Sequence, residues 1–293
     1  MISRRRFLTI SCAALAAPAR AAGVTTRWHG RALGADVSVA IRGPAEIAEP
    51  ALEEALRLIA RVEALFSLYD PTSLLVRLNR MGHLAAPPVY MLRLFEVSKA
   101  MHVATDGLFD PTVQALWQSH AQGRPLAEAY PTVGWQRVQF DRTEISLAAG
   151  QQLTFNGIAQ GYATDLVSDA LRAAGLSDIH VNIGEHAAFG PARRLGLADP
   201  VHGHLGHLTL QNSAIATSSP AATRVGDATH ILGPQGAEPR WSTVSVIATR
   251  AAEADALSTA LCLAPLSLME RLRTLPGVRR IVAVASNGDL ITL

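Results

Sequence analysis

Residues 156–165, Asn-Gly-Ile-Ala-Gln-Gly-Tyr-Ala-Thr-Asp, constrain this chain more than any other stretch. They follow an apolar, strand-like run, Gln152-Leu153-Thr154-Phe155, and lead into a helical pattern from Leu166 to Gly175. Two glycines therefore stand at a strand-to-helix junction. Neither Gly157 nor Gly161 carries a Cβ, so another backbone or a ligand can approach closely there. The N–H groups of the helix start would face an anion. An ordinary capped turn explains the same residues. Asp165 suits a helix N-terminal acid as well as a catalytic group.

The N-terminus reads as a targeting segment. Ser3-Arg4-Arg5-Arg6-Phe7-Leu8 is a twin-arginine pattern, followed by a short apolar run and Ala19-Arg20-Ala21, an A-x-A cleavage site. The run is too short to span a bilayer. Residues 1–21 are expected to be an export signal cleaved near Ala21. The protein would then be periplasmic and not itself transmembrane, with residues 22–293 as the folded unit. Removing residues 1–21 takes Arg4, Arg5, Arg6 and Arg20 but no acid, so the formal net charge of +2 becomes −2. No basic block remains and aromatic residues make up 5%, which argues against nucleic acid as a partner. Cys12 falls in the signal, leaving Cys262 as the single cysteine, so no intramolecular disulfide is possible.

Periodicity supplies the elements. Trp28–Arg42 alternates around Leu33-Gly34-Ala35 as two strand pieces. Residues 44–65 repeat apolar residues at helical spacing. Ser73 caps a short helix reaching Asn79, and Val89–Thr105 is another helix. Asp106-Gly107-Leu108-Phe109-Asp110-Pro111-Thr112 is a polar turn opening a helical stretch. Short strands are expected at 138–140, 144–147, 180–183, 195–197, 205–210, 214–217, 230–232 and 242–248. Two helices (251–263, 267–275) and a closing hairpin (280–285, 290–293) complete the chain. Strands and helices mix without a regular βαβ rhythm, which favours α+β. No G-x-G-x-x-G follows a strand and no G-x-S-x-G is present, so neither a Rossmann site nor a serine hydrolase is supported.

Two places could carry chemistry. Asp255 and Thr259 lie four apart on one helix and share a face, a hard oxygen pair suited to Mg²⁺. A helix-dipole acid with a hydroxyl bonded back to a carbonyl is the plainer account of the same spacing. His230, in Ala228-Thr229-His230-Ile231-Leu232, is either a general base or a hydrogen-bonded sheet histidine. His202, His204 and His207 look like surface residues or adventitious metal binders.

Taken in order, these segments resemble the ApbE family, the FAD:protein FMN transferases. Leu33-Gly34-Ala35 is similar to its Met-Gly-Thr. Phe66–Pro71 through Leu78-Asn79-Arg80 is similar to S-x-Y-D-P…L-N-R, and Asp106–Thr112 to D-G-x-F-D-P-T. The opening stretch resembles G-I-A-K-G-Y-A-x-D. Val181–Gly184, Ala216-Thr217-Ser218, Thr229–Leu232 and Glu253–Ala260 follow the family's later motifs. The resemblance implies a single compact α+β unit of mixed, T-fold-like sheets with packed helices. It implies Mg²⁺ held by Asp255, Thr259 and the Ala159 carbonyl. FAD would lie against Leu33, Tyr69, Leu108, Phe109, Asp110, Asn156, Tyr162 and His230, with His230 and Asp165 as catalytic groups. FMN would move from FAD to a Ser or Thr hydroxyl of an acceptor protein, and AMP would leave.

Four departures stand out. Gln160 replaces the family's Lys, Glu185-His186 its Gly-Asp, Ser219 a Gly, and Gly233-Pro234-Gln235-Gly236-Ala237 its D-P-x-T-G. The twin-arginine signal, Gln160 and Trp241–Val246 resemble the NosX branch. That likeness implies flavinylation of the membrane flavoprotein NosR in nitrous oxide respiration. The departures leave two other readings open: a flavin-binding carrier or assembly protein without turnover, and an FAD pyrophosphatase.

Overall fold

The alternating run near the N-terminus forms a hairpin, β1 (Thr25–Ala32) and β2 (Ala35–Arg42), closed by Leu33 and Gly34. Both turn residues have positive φ, 50° and 76°, the hand that a two-residue hairpin turn requires. A leucine in that region costs about 1–2 kcal/mol. Two tertiary bonds hold it there. Its N–H donates to Glu63 Oε1 at 3.0 Å, and its carbonyl accepts from Gln160 Nε2 at 3.2 Å. A computed structural model describes residues 24–225 and 228–293. The twin-arginine stretch and the cleavage point near Ala21 lie outside these residues.

Helix α1 (Ala45–Phe66) buries Ala48, Ala51, Ala55, Leu58, Ile59, Val62 and Leu65 along one face, the spacing of an amphipathic helix. Helix α2 (Leu74–Met81) opens on Ser73, whose Oγ accepts from the Val76 N–H at 3.1 Å, a side-chain N-cap. The chain continues through β3 (His83–Ala85), α3 (Val89–Ala104), α4 (Gln114–Ala121), β4 (Gln139–Phe140) and β5 (Glu144–Ser146). Strands β3, β5 and β4 form a small separate sheet. Then come α5 (Ala159–Ala173), β6 (Asp178–Ile183), β7 (His186–Phe189), β8 (Arg193–Asp199), β9 (Gly203–Leu210) and β10 (Ser213–Ser218). Two short strands, β11 (Arg224–Val225) and β12 (Ala228–Thr229), precede β13 (Trp241–Ala248). Helices α6 (Ala251–Leu261) and α7 (Leu266–Leu272) lead to β14 (Val278–Ala285) and β15 (Leu290–Thr292).

The main sheet has the order β1-β2-β6-β7-β10-β13-β14-β15, and every neighbouring pair is antiparallel. The architecture is α+β, as expected. Helices α1, α5 and α6 pack on one face. The β8–β9 ribbon covers part of the other, setting Leu195, Leu208 and Leu210 against Ile215 and Ile247. Strand β13 is therefore buried on both sides from Thr243 to Ala248, and its near-continuous apolar run follows from that position.

Helices α5 and α6 cross at Gly161. A Cβ built there would lie 2.3 Å from the Ala251 carbonyl oxygen and 2.8 Å from the Ala252 Cα. Only a residue without a side chain permits that approach. The glycine pair singled out in the sequence is thus first a packing device.

Three local expectations change. Gln152–Phe155 joins no sheet. Asn79 takes both pairing groups of Leu153, accepting its N–H at 2.7 Å and donating to its carbonyl at 2.8 Å. The strand expected at 230–232 lies earlier, at Ala228–Thr229, with the His230 N–H donating to the Thr223 carbonyl at 3.2 Å beyond its end. Strand β7 went unforeseen: a His-Ala-Ala-Phe run has weak strand preference, and pairing with β6 and β10 imposes the conformation.

Gly161→Ala is expected to lower the free energy of unfolding by about 1–3 kcal/mol or more through overpacking, read by urea denaturation. Unchanged stability would show that the two helices part without cost.

Candidate active site

The α5–α6 crossing, the β6–β7 turn and the end of β10 enclose a cleft of about 310 Å³. Leu197 and Ala198 line it from the ribbon side, and Trp117 from α4. Reciprocal capping builds its centre. The Gly161 N–H, in the first turn of α5, donates to Asp255 Oδ2 at 3.0 Å. In return Asp165 accepts from the Ala251 and Ala252 N–H groups at 2.8 and 3.0 Å. Each helix thus contributes a carboxylate to the other's unsatisfied N–H groups. Arg250 adds an ion pair to Asp165 at 3.4 Å and a bidentate pair to Asp169.

Asp255, Thr259, Asn156 and His230 come together in this cleft, with Gln160 between them and Leu33. Thr259 Oγ1 lies 3.3 Å from Ser218 Oγ, which pairs with Ser258 Oγ at 2.7 Å. His230 Nδ1 faces the carbonyl oxygens of Pro220 and Thr223 at 3.2 and 3.1 Å. Carbonyls only accept, so Nδ1 carries the proton and Nε2 is the basic nitrogen. Ala159 is the buried first residue of α5.

Several expected residues lie elsewhere. Asp165 does not line the cleft; it lies past the first turn of its own helix α5, and both its oxygens cap the start of α6 instead. Tyr162 is a core residue whose hydroxyl donates to the Tyr90 carbonyl at 2.9 Å. Burial pushes its pKa up to about 12. Phe109 is buried, its N–H held by Thr105 Oγ1 at 3.0 Å. Asp110 caps the following turn through Thr112 and accepts from the Trp135 N–H at 3.1 Å. With Leu108 it borders a second hollow beside Pro234 and Gln235. Tyr69 is exposed between α1 and α2. None of these six lines the central cleft, because their motif positions serve caps, turns and core first.

The sequence reading missed Glu185 as a site residue. It follows Gly184, whose φ of 85° makes the sharp β6–β7 turn, and it lines the cleft although 92% buried. Its Oε2 accepts from the Thr217 N–H at 3.1 Å. An acid directly after a glycine at a strand end was the available signal. Burial, then Asp255, hold the Glu185 carboxyl well above the usual range. Burial likewise raises Asp255 to about 7. No Lys or Arg is among the described residues lining the cleft.

His186 also lines the cleft and stacks on His180, with the ring centroids 5.4 Å apart and Nε2 of His180 3.2 Å from its Nδ1. Burial lowers His180 to about 4 and His186 to about 3, so both rings stay neutral.

The ApbE family profile matches residues 33–281, and the chain belongs to that family. A curated relative, the FAD:protein FMN transferase of Rhodobacter capsulatus, is 26% identical over 238 residues, 68% of this chain. The chain spans 43% of that relative's length. The apo crystal structure of Pseudomonas stutzeri flavinyl transferase ApbE is 25% identical, with a TM-score of 0.80 over 93% of this chain and 95% of that one. The ApbE protein of Thermotoga maritima shares the fold at 23% identity and a TM-score of 0.83, over 92% and 96% of the two chains.

The histidine pair generates a pH prediction. Folded, both rings stay neutral; unfolded, each takes a proton below about 6.5. Their contribution is fully present above pH 6.5 and falls as the pH drops toward 4, by up to about 1.4 kcal/mol per pH unit for each ring. His180→Gln is expected to flatten the fall in melting stability between pH 6.5 and 4. A variant with the wild-type slope would refute the assignment.

Proposed function

We propose that this protein is a Mg²⁺-dependent FAD:protein FMN transferase. The observation that carries the reading is the cleft's charge. Asp255 and Glu185 are buried acids, and no cationic side chain is among the described lining residues. FAD brings an anionic pyrophosphate, so a transferase built on this cleft needs a cation from outside the chain. The donor set fits Mg²⁺: the Asp255 carboxylate, the Thr259 hydroxyl and the Ala159 carbonyl are hard oxygens. Bound Mg²⁺ would neutralise charge developing on the phosphate oxygens.

The chain's own residues supply the rest. The Gly161 N–H fixes the Asp255 carboxylate. The two carbonyls at His230 Nδ1 orient that ring, and Nε2 is the nitrogen assigned to take the proton of the acceptor hydroxyl. The hydroxyl oxygen bonds to the FMN phosphorus, the phosphorus–oxygen bond to AMP breaks, and AMP leaves.

The acceptor is a protein bearing a Ser/Thr flavinylation motif; the NosX-like features make the membrane flavoprotein NosR the first to test. The twin-arginine pattern supports export to the periplasm with residues 22–293 as the transferase unit. Among the described residues no helix is long and apolar enough to cross a membrane. One observation favours a second reading, a flavin carrier without turnover. Gln160 stands where the family has Lys, and its amide is engaged by the Leu33 carbonyl.

Incubation with FAD, Mg²⁺ and acceptor should give a covalently fluorescent acceptor and stoichiometric AMP. Asp255→Asn should slow transfer by about 100-fold or more. Tight FAD binding without AMP would establish the carrier, and free FMN with AMP a pyrophosphatase.

A further inference from the structure

We propose that Glu185 is a second carboxylate of the cation site, so that this chain holds its divalent cation through Glu185 and Asp255 together with Thr259. The inference rests on the metal reading above and deepens it. The β6–β7 turn delivers Glu185 to the cleft by a well-determined path. A Cβ on Gly184 would lie 2.6 Å from the Gln160 side-chain amide, so the Gln160 side chain packs directly against the turn. The Ile183 N–H and Thr164 Oγ1 donate to the Glu185 carbonyl at 3.1 and 3.3 Å. The Thr217 N–H holds one carboxylate oxygen. Thr217 immediately precedes Ser218, whose hydroxyl lies 3.3 Å from Thr259 Oγ1. One path thus links Glu185 to one expected cation ligand, and the Gly161 N–H ties Asp255 into the same cleft.

Charge makes this arrangement informative. Glu185 and Asp255 are 8% and 4% exposed. Each is anchored in the same way, by one backbone N–H on one carboxylate oxygen. Two like charges removed from water in one cleft are costly unless a counter-charge joins them. Gln160 is neutral. His186, the neighbouring base, is occupied at Nδ1 by His180. A divalent cation with a taste for carboxylate oxygen meets the requirement.

The test uses the full chain free of FAD, with Mn²⁺ as probe. Binding is followed by loss of the free-ion paramagnetic signal and by Mg²⁺ competition. Wild type should bind Mn²⁺. Glu185→Gln and Glu185→Gly should each weaken binding by about 10- to 100-fold, as should Asp255→Asn. Circular dichroism checks that each variant is folded, and two substitutions at 185 guard against one failing to fold. Without metal, Glu185→Gln should melt above wild type, and added Mg²⁺ should close the gap. Wild-type Mn²⁺ affinity in both Glu185 variants, with binding lost in Asp255→Asn, would overturn the proposal and leave the cation site standing. Tighter FAD binding by Glu185→Gln with unchanged Mn²⁺ affinity would overturn it in favour of simple repulsion of the pyrophosphate. No Mn²⁺ binding by wild type would overturn both this proposal and the metal reading.

Discussion

The crossing of α5 and α6 is the interaction on which the remaining structure depends. Gly161 lets the two backbones meet, and each helix presents a carboxylate to the other's start. Helix termini carry unsatisfied N–H groups, and burying them without partners is unfavourable. Here the partners are the helices' own acids, so the crossing angle, the burial of Asp255 and the position of Asn156–Gln160 are set together. Asp165 completes the reciprocal bond, and its buried charge is supported by Arg250. The cleft is the space this crossing leaves under β7 and β10.

The cleft's electrostatics follow from its depth. Burial favours the neutral forms of Asp255, Glu185 and His186, holding the two acids up and the histidine down. A site of this kind cannot attract an anionic ligand by its side chains alone. The proposed cation resolves the conflict by matching the acids and the pyrophosphate at once. Where the family pattern places Lys, Gln160 instead braces the strained Leu33 turn and the β6–β7 turn. Gln160 adds no charge of its own, so the burden of balancing the cleft falls on the proposed metal.

Much of the fold was legible from local pattern. The Leu33-Gly34 turn, the amphipathic face of α1, the Ser73 cap and the closing hairpin follow from period, turn chemistry and capping within short windows. Gln152–Phe155 was less legible. An apolar alternating run announces extended backbone but not its partner, and that partner is the Asn79 side chain, 74 residues away. Strand β7 was invisible for the converse reason, since its conformation comes from neighbours and not from its own residues.

The candidate site divides in the same way. Asp255 with Thr259, and the two glycines of the opening stretch, were readable because helical spacing and missing side chains are local properties. Whether Asp165 and Asp255 were capping acids or chemical ones was not, since that depends on which oxygen meets which N–H across 86 or 94 residues. Tyr162, Phe109 and Asp110 sit in conspicuous motifs, yet tertiary packing commits them to core and turns. Glu185 sits at an inconspicuous turn, yet packing delivers it to the cleft. The sequence by itself determined the α+β class, the element order and the oxygen pair on α6, all set by periodicity and local sterics. The tertiary structure alone decided which carboxylates are buried without a cationic neighbour, because burial and charge balance are properties of segments brought together.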